Sequence, residues 1–305
     1  MSWSRVEQLL GTDNLALLAT KKVAVVGLGS GGGLVTLQLA MSGVGRFVLV
    51  DDDVLEETNI VRHVADRRYL GQHKVDAVAD LIKHRNPNAQ VDKRHGRIEQ
   101  HMDALEGVDV LVSAVDGELP KYTLNQAALD RNLPAVYAGV YERGEGGDSV
   151  VIYPYDGPCY ACWAAELRGE VALALSDNGQ TLDYGMIGPE GTLEAEPGLW
   201  LHVTRVATVQ AHLVLNELLK GTDVYEPMPG NTVILANNAL EIINGQTSQP
   251  QTAVWVTIDR DPECLVCGDR LRHRAALTNE QEDDSLSLDD LMDSAGLVLQ
   301  EDDEE

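Results

Sequence analysis

Apolar positions recur at helical spacing from Val6 to Leu18, and an unbroken apolar run, Val23 to Val26, follows. Similar runs return at Phe47 to Val50 and Pro134 to Ala138, and a mostly apolar one, broken by Asp109 and Ser113, at Val108 to Val115. Between them the spacing predicts helices over Gly31 to Ser42, Lys74 to His84 and Tyr122 to Asp130. In the second of these, Val75, Val78, Leu81 and Ile82 share one face, and Asn86-Pro87 closes it. Largely apolar strands alternating with helices predict an α/β fold, a Rossmann-like, mostly parallel sheet with helices on both faces. After Gly139 the pattern changes. Gly144, Gly146 and Gly147 precede Ser149 to Tyr153, a predicted antiparallel strand. Gly169 to Gly198 is polar and reads as a long loop, Leu199 to Leu219 as a strong helix, and Thr232 to Ala236 and Ala253 to Ile258 as strands. The expected organisation is a nucleotide-binding half over 1–139 and a second half over 140–272, making one domain, with a tail over 273–305.

Charge narrows the partners. The chain of 305 residues carries a net charge of −26, a field that repels nucleic acid phosphates. Asn279 to Glu305 holds 12 acidic residues and no Lys or Arg, and without them the body still stands at −14. The tail is expected to be solvated and disordered; the competing reading takes Leu286, Leu288, Leu291, Met292, Leu297 and Leu299 as the apolar side of a short docking helix. No run reaches the roughly 18 apolar residues of a membrane span, and MSWSRVEQLL lacks the features of a signal peptide. A cytoplasmic protein is the expectation.

The candidate chemistry starts at the first strand. Gly27, Gly29, Gly31 and Gly32 lie in GLGSGG, between a predicted strand and a predicted helix. There glycines let the backbone approach phosphate and the helix N-terminus offers N–H donors. Asp51 ends the next strand, where a carboxylate can accept both ribose hydroxyls. That much suits NAD or ATP. Cations separate the two, because a triphosphate carries about four negative charges and calls for side-chain cations and a divalent metal. Asp51, Asp52 and Asp53 are followed by Asn59, Arg62 and His63, and then by Gly71-Gln72-His73-Lys74. A NAD domain has no call for Arg and Lys in this order.

On these residues the sequence resembles the ThiF/MoeB/HesA superfamily, the adenylating domain of ubiquitin-activating (E1-like) enzymes. The family pattern is a glycine loop, D-x-D-x-V, N-x-x-R-Q, G-x-x-K, a strand ending in Asp, then N-x-x-x-R-x-x-x-N. Asp51, Asp53, Asn59, Arg62, Lys74, Asp116 and Asn125 fall on it, over about residues 1–270. The chain departs from it with His63 for Gln, Gly117 for Asn, Lys121 for Arg and GLGSGGG in the loop. The resemblance implies that Asp51 holds the ribose, that Asn59, Arg62 and Lys74 surround the phosphates, and that Asp116 holds Mg²⁺. It implies attack of a substrate carboxylate on the α-phosphate of ATP. It also implies a homodimer in which an N-terminal Arg, loosely matched by Arg5, reaches the partner's site; a plain helix-flanking Arg5 is the alternative.

Two C-x-x-C pairs, Cys159/Cys162 and Cys264/Cys267, account for all four cysteines. Their spacing points to a closed structural Zn²⁺ site of four thiolates, against redox or inert pairs. With all four engaged, no cysteine is left to form a thioester, so the chemistry stops at the acyl-adenylate. The implied substrate is the C-terminal carboxylate of a small ubiquitin-like or sulfur-carrier protein. The rivals are a peptide, small-molecule or tRNA-borne carboxylate, an NAD-dependent oxidoreductase, and a non-catalytic E1-like binding module.

Overall fold

The structure, a computed structural model, describes residues 2–168, 186–187, 193–194, 198–243 and 246–269. The chain divides into two units at Arg260/Asp261. The tail from 273 lies outside the described residues, as does most of the expected loop over 169–198.

The first unit opens with α1 (Ser4–Leu10) and α2 (Thr12–Thr20), not the single helix expected from Val6 to Leu18. The apolar spacing runs through both, but Gly11 between them adopts φ +85°, a left-handed conformation that ends a helix. There follow β1 (Lys22–Val26), α3 (Gly32–Met41), β2 (Arg46–Asp51), α4 (Lys74–Arg85), β3 (Gln90–His95), β4 (Val110–Ser113), α5 (Glu118–Asp130) and β5 (Ala135–Val140). Next come β6 (Gly146–Ile152), α6 (Tyr160–Arg168), the short ribbon of β7 (Met186–Ile187) and β8 (Leu193–Glu194), and α7 (Trp200–Leu218). The unit closes with β9 (Thr232–Ala236), β10 (Leu240–Ile243), β11 (Gln246–Ser248) and β12 (Thr252–Val256).

Eight strands form one sheet in the order β12-β9-β6-β5-β4-β1-β2-β3. From β3 to β5 neighbouring strands run parallel, with Val23 beside Phe47 and Val110. From β5 onward they are antiparallel, beginning with Tyr137 opposite Val150. The fold is therefore the expected α/β sheet, extended on one side by antiparallel strands. β3 was not expected. It reads Gln-Val-Asp-Lys-Arg-His and occupies a sheet edge, where a strand needs no apolar faces.

Alternate side chains of the buried strands feed two cores. Val23, Val25, Phe47, Leu49, Val110 and Val112 pack with α3, α4 and α7. Ala24, Val26, Val48, Val50, Leu111 and Tyr137 pack with α5 and α6 on the other face. Gln210 of α7 crosses into this frame: its buried amide donates to the carbonyls of Ser113 and Val136, at 2.9 and 3.0 Å, pinning the helix to the end of β4 and the start of β5. Among the described residues no helix is long and apolar enough to cross a membrane.

Candidate active site

A cleft of about 480 Å³ opens at the carboxyl ends of β1 and β4, the position where α/β sheets bind ligands. Gly29, Gly31, Asn59, Arg62, Lys74 and Asp116 line it, together with Lys121. Asn59 and Arg62 from one turn, Lys74 and Lys121 thus meet the glycine loop, with the carboxylates of Asp116 and Glu142 on the same cleft. Gly27, Gly32, Asp51, Asp53 and Arg5 do not line the cleft.

The glycine loop is shaped by two tight contacts. Gly27 has φ +86°, and a Cβ on it would lie 2.4 Å from the Ala114 carbonyl oxygen; at Gly32 a Cβ would lie 1.9 Å from the Gly27 carbonyl oxygen. Neither backbone atom can yield, so both glycines are steric necessities. Gly29 faces open space. Gly31 starts α3 without a side-chain cap, so the helix presents uncapped N–H groups and the positive end of its dipole.

Asp51, at the end of β2, supports this loop. One carboxylate oxygen accepts from the Leu28 N–H at 2.6 Å and the other from the Asp53 N–H at 2.9 Å. Burial pushes its carboxyl above the ordinary range, while the Leu28 N–H and then Lys74 pull it back. A carboxylate has about four acceptor positions, so the two backbone bonds leave acceptor capacity for a diol.

His63 holds the loop from the other side. Its Nε2 lies 2.7 Å from the Leu28 carbonyl oxygen, and its Nδ1 accepts from the Ala65 N–H at 3.0 Å. An accepting Nδ1 requires the proton on Nε2, so the ring is neutral. Burial lowers its pKa, the Leu28 carbonyl opposes this and Lys74 adds to it. The departure from the family's Gln is thus chemically mild, because a neutral imidazole, like an amide, offers one donor and one acceptor.

Asn59 and Arg62 lie on a 3₁₀ turn, Glu57–Arg62, where the Asn59 Oδ1 accepts from the Glu56 N–H at 2.9 Å. Arg62 is exposed and has no hydrogen bond or ion pair among the described residues. Lys74 begins α4, the end at which the dipole disfavours a cation, yet only 10% of its side chain is exposed. Its Nζ lies 2.5 Å from an Asp53 carboxylate oxygen, and its N–H donates to the Asp53 carbonyl at 3.0 Å. Asp53 therefore compensates the helix end and aims the lysine. Asp116 follows β4 as an exposed carboxylate on the cleft wall.

Lys121 and Asn125 occupy α5. Lys121 is 3% exposed, and its Nζ meets Glu118 Oε1 at 3.0 Å. Asn125 does not line the cleft; its Oδ1 accepts from the Tyr160 N–H at 2.9 Å. Sequence reasoning missed Glu118, Trp200 and the part His63 plays. Trp200 Nε1 donates to the Ser30 carbonyl at 3.1 Å and ties α7 to the glycine loop. A contact 170 residues away along the chain leaves no local signal.

Each cysteine pair is arranged within its own unit. In the first, the sulfurs of Cys159 and Cys162 stand 3.8 Å apart. A tetrahedral ion with Zn–S bonds of about 2.3 Å sets its sulfurs about 3.8 Å apart, so the pair matches one edge of such a site. The buried phenol of Tyr137 is pushed up by desolvation and next by Cys159. In the second unit, the Cys264 and Cys267 sulfurs lie within 4.8 Å of each other. The Val266 N–H points at the Cys264 sulfur at 3.4 Å, a contact that favours a thiolate.

The ThiF family profile matches residues 4–287. The SAMP-activating enzyme E1 of Haloferax volcanii is 28% identical over 263 residues, covering 85% of each chain. The adenylyltransferase and sulfurtransferase UBA4 of Yarrowia lipolytica is 30% identical over 148 residues, which is 48% of this chain but only 37% of that one. Among solved structures, E. coli MccB superposes with a TM-score of 0.65 at 19% identity, covering 88% of this chain and 73% of that one. A structure of MccB with ATP gives 0.59 at 19% identity, over 84% and 69%. At such identities the likeness is one of fold.

Proposed function

The chain belongs to the ThiF family and is an adenylyltransferase of the E1-like type, and we propose that it activates the C-terminal carboxylate of a small ubiquitin-like or sulfur-carrier protein with ATP. The observation that carries the reading is the convergence of Arg62, Lys74 and Lys121 with Asp116 on one glycine-lined cleft. That charge set suits a triphosphate and its divalent ion better than a dinucleotide. The relative similar along most of its length is named for activating SAMP, which favours a protein carboxylate over a small molecule or tRNA.

The chemistry follows from charge. The substrate carboxylate oxygen bonds to the α-phosphorus, the bond to the β-phosphate oxygen breaks, and pyrophosphate leaves with the electron pair. Both reactants are anions, so cations aimed at the developing charge contribute most of the catalysis. No general base is needed, because a carboxylate is already ionised at neutral pH. The uncapped start of α3 takes phosphate oxygens, Asn59 donates its amide N–H to them, Arg62 and Lys74 neutralise them, and Asp51 takes the ribose hydroxyls with its remaining acceptor sites. Asp116 offers the hard oxygen ligand that Mg²⁺ prefers; when bound, that ion supplies further neutralisation of phosphate charge. Arg5, exposed on α1, is left to act across a homodimer.

Cys159, Cys162, Cys264 and Cys267 together are proposed to hold one structural Zn²⁺. With no fifth cysteine in the sequence, the acyl group passes from the adenylate to an external nucleophile rather than to a thiol of this chain.

The test is calorimetric titration with Mg·ATP beside NAD. The reading expects Mg·ATP to bind and that binding to be lost in Asp116→Ala. Tight NAD binding without an ATP response would overturn it.

A further inference from the structure

Helix α5 is fastened twice to one residue of the first cysteine turn. The Tyr160 N–H donates to Asn125 Oδ1 at 2.9 Å, and the Tyr160 hydroxyl donates to Glu118 Oε2 at 2.9 Å. The other oxygen of that carboxylate, Oε1, meets the Lys121 ammonium at 3.0 Å. Lys121 lines the cleft and is 3% exposed, and Tyr160 is 1% exposed between Cys159 and Cys162. A buried ammonium depends heavily on its partner's position, since it is removed from water. Glu118 therefore stands with one oxygen on the cleft lysine and one on the cysteine turn.

We infer that Glu118 is a positioning residue that couples the metal state of the Cys159–Cys162 pair to the placement of the Lys121 ammonium, and so to nucleotide affinity. The inference rests on the adenylating reading for its nucleotide and on the fit of the paired sulfurs to a tetrahedral edge for its metal. The path is short. A held pair of sulfurs fixes the turn that carries Tyr160, the Tyr160 hydroxyl fixes the Glu118 rotamer, and Glu118 fixes Lys121. Ring packing also restrains Tyr160, which stacks on Tyr137 at 4.6 Å and lies near Trp163 at 5.4 Å. Tyr160→Phe keeps this packing and deletes only the hydroxyl.

The experiment uses the full chain, loaded with zinc or stripped by a chelator that is then removed. Two quantities are measured: the labelling rate of Lys121 by an amine reagent, read by mass spectrometry, and the affinity for Mg·ATP. In the native protein, stripping is expected to speed Lys121 labelling and weaken Mg·ATP binding by about fivefold or more, the lower range of coupling between sites. Zinc-loaded Tyr160→Phe and Glu118→Gln are expected to label as fast as stripped native protein while keeping their zinc. Because each variant is also compared, loaded, with loaded native protein, which it is expected to exceed in labelling rate by about fivefold or more, loss of the fold on stripping leaves that comparison intact. If loaded Tyr160→Phe protects Lys121 as well as the native chain does, or if zinc does not bind or leaves the labelling unchanged, the inference falls. Labelling that follows the expectation with no Mg·ATP binding in any form would keep the coupling and remove the adenylating reading instead.

Discussion

The Asp53 carboxylate and the Lys74 ammonium form an ion pair at 2.5 Å, closing the gap between the end of β2 and the start of α4. The pair joins an exposed acid to a buried base, which gives the two residues different tasks. Lys74→Ala removes a cation that faces the cleft, and is expected to weaken Mg·ATP binding about tenfold and to slow adenylation by about a hundredfold or more. Asp53→Asn leaves the cation but loosens its aim, so it is expected to cost adenylation less than Lys74→Ala does. Steady-state release of pyrophosphate for both variants checks the order; equal losses would show that Asp53 does more than hold the lysine.

The glycines of the loop divide into two classes. Gly27→Ala and Gly32→Ala force a Cβ into backbone at 2.4 and 1.9 Å, and each is expected to destabilise the fold by about 2–4 kcal/mol. Gly29→Ala meets nothing within 4 Å, so its melting temperature should match the native protein, while a methyl group facing the cleft weakens Mg·ATP. Thermal melts beside ATP titrations separate the two effects. A melting temperature lowered by Gly29→Ala would contradict the assignment.

His63 sets a pH dependence. Its pKa is depressed in the folded state, chiefly by burial. Above the unfolded value of about 6.5 the ring is neutral in both states and its contribution is complete. As pH falls below that value the unfolded chain takes up the proton first, so stability is lost down to the folded pKa. Asp51 works the other way: its raised folded pKa favours protonation of the native state as pH falls, with a stabilising contribution in the range just above the ordinary carboxylate value. Denaturant melts from pH 7 to pH 5.5 should therefore show a decline that His63→Gln removes. An unchanged slope in His63→Gln would place the titrating group elsewhere.

Cys159→Ser is expected to lower bound zinc to a small fraction of one ion per chain, measured by elemental analysis of purified protein. One ion per chain in the native protein and in Cys159→Ser alike would show that Cys159 is no ligand.

The parts of this fold that were legible in the sequence are those made by burial. Val23 to Val26, Phe47 to Val50 and, within Val108 to Val115, the four strand residues Val110 to Ser113 are buried, so their composition marked them as parallel strands. The turn from parallel to antiparallel after β5 was legible in the glycines before Ser149. The break at Gly11 was not, because the apolar spacing continues across it while the backbone does not. In the cleft, Arg62 and Lys74 stood out as cations following the acid-ended strand, whereas Asp116 was marked only by the resemblance to the family pattern. The Glu118 contact was hidden because it depends on which way α5 turns, and the Trp200 contact because it spans the chain. His63 looked like a substitution by type, and only its two hydrogen bonds reveal that it keeps the amide's pattern of one donor and one acceptor.

The polarity that hid β3 has a use of its own. An edge strand offers unpaired N–H and C=O groups to any extended chain that drifts past. Asp92 and Lys93 of β3 are exposed, and Arg94 is held by both Asp92 and Asp103. A stranger docking there would have to strip water from these charges and would meet little apolar surface in return, since Val91 is half-buried against the core. Replacing Lys93 and Arg94 with valine would leave the β3–β2 pairing intact and turn this edge into a seed for aggregation.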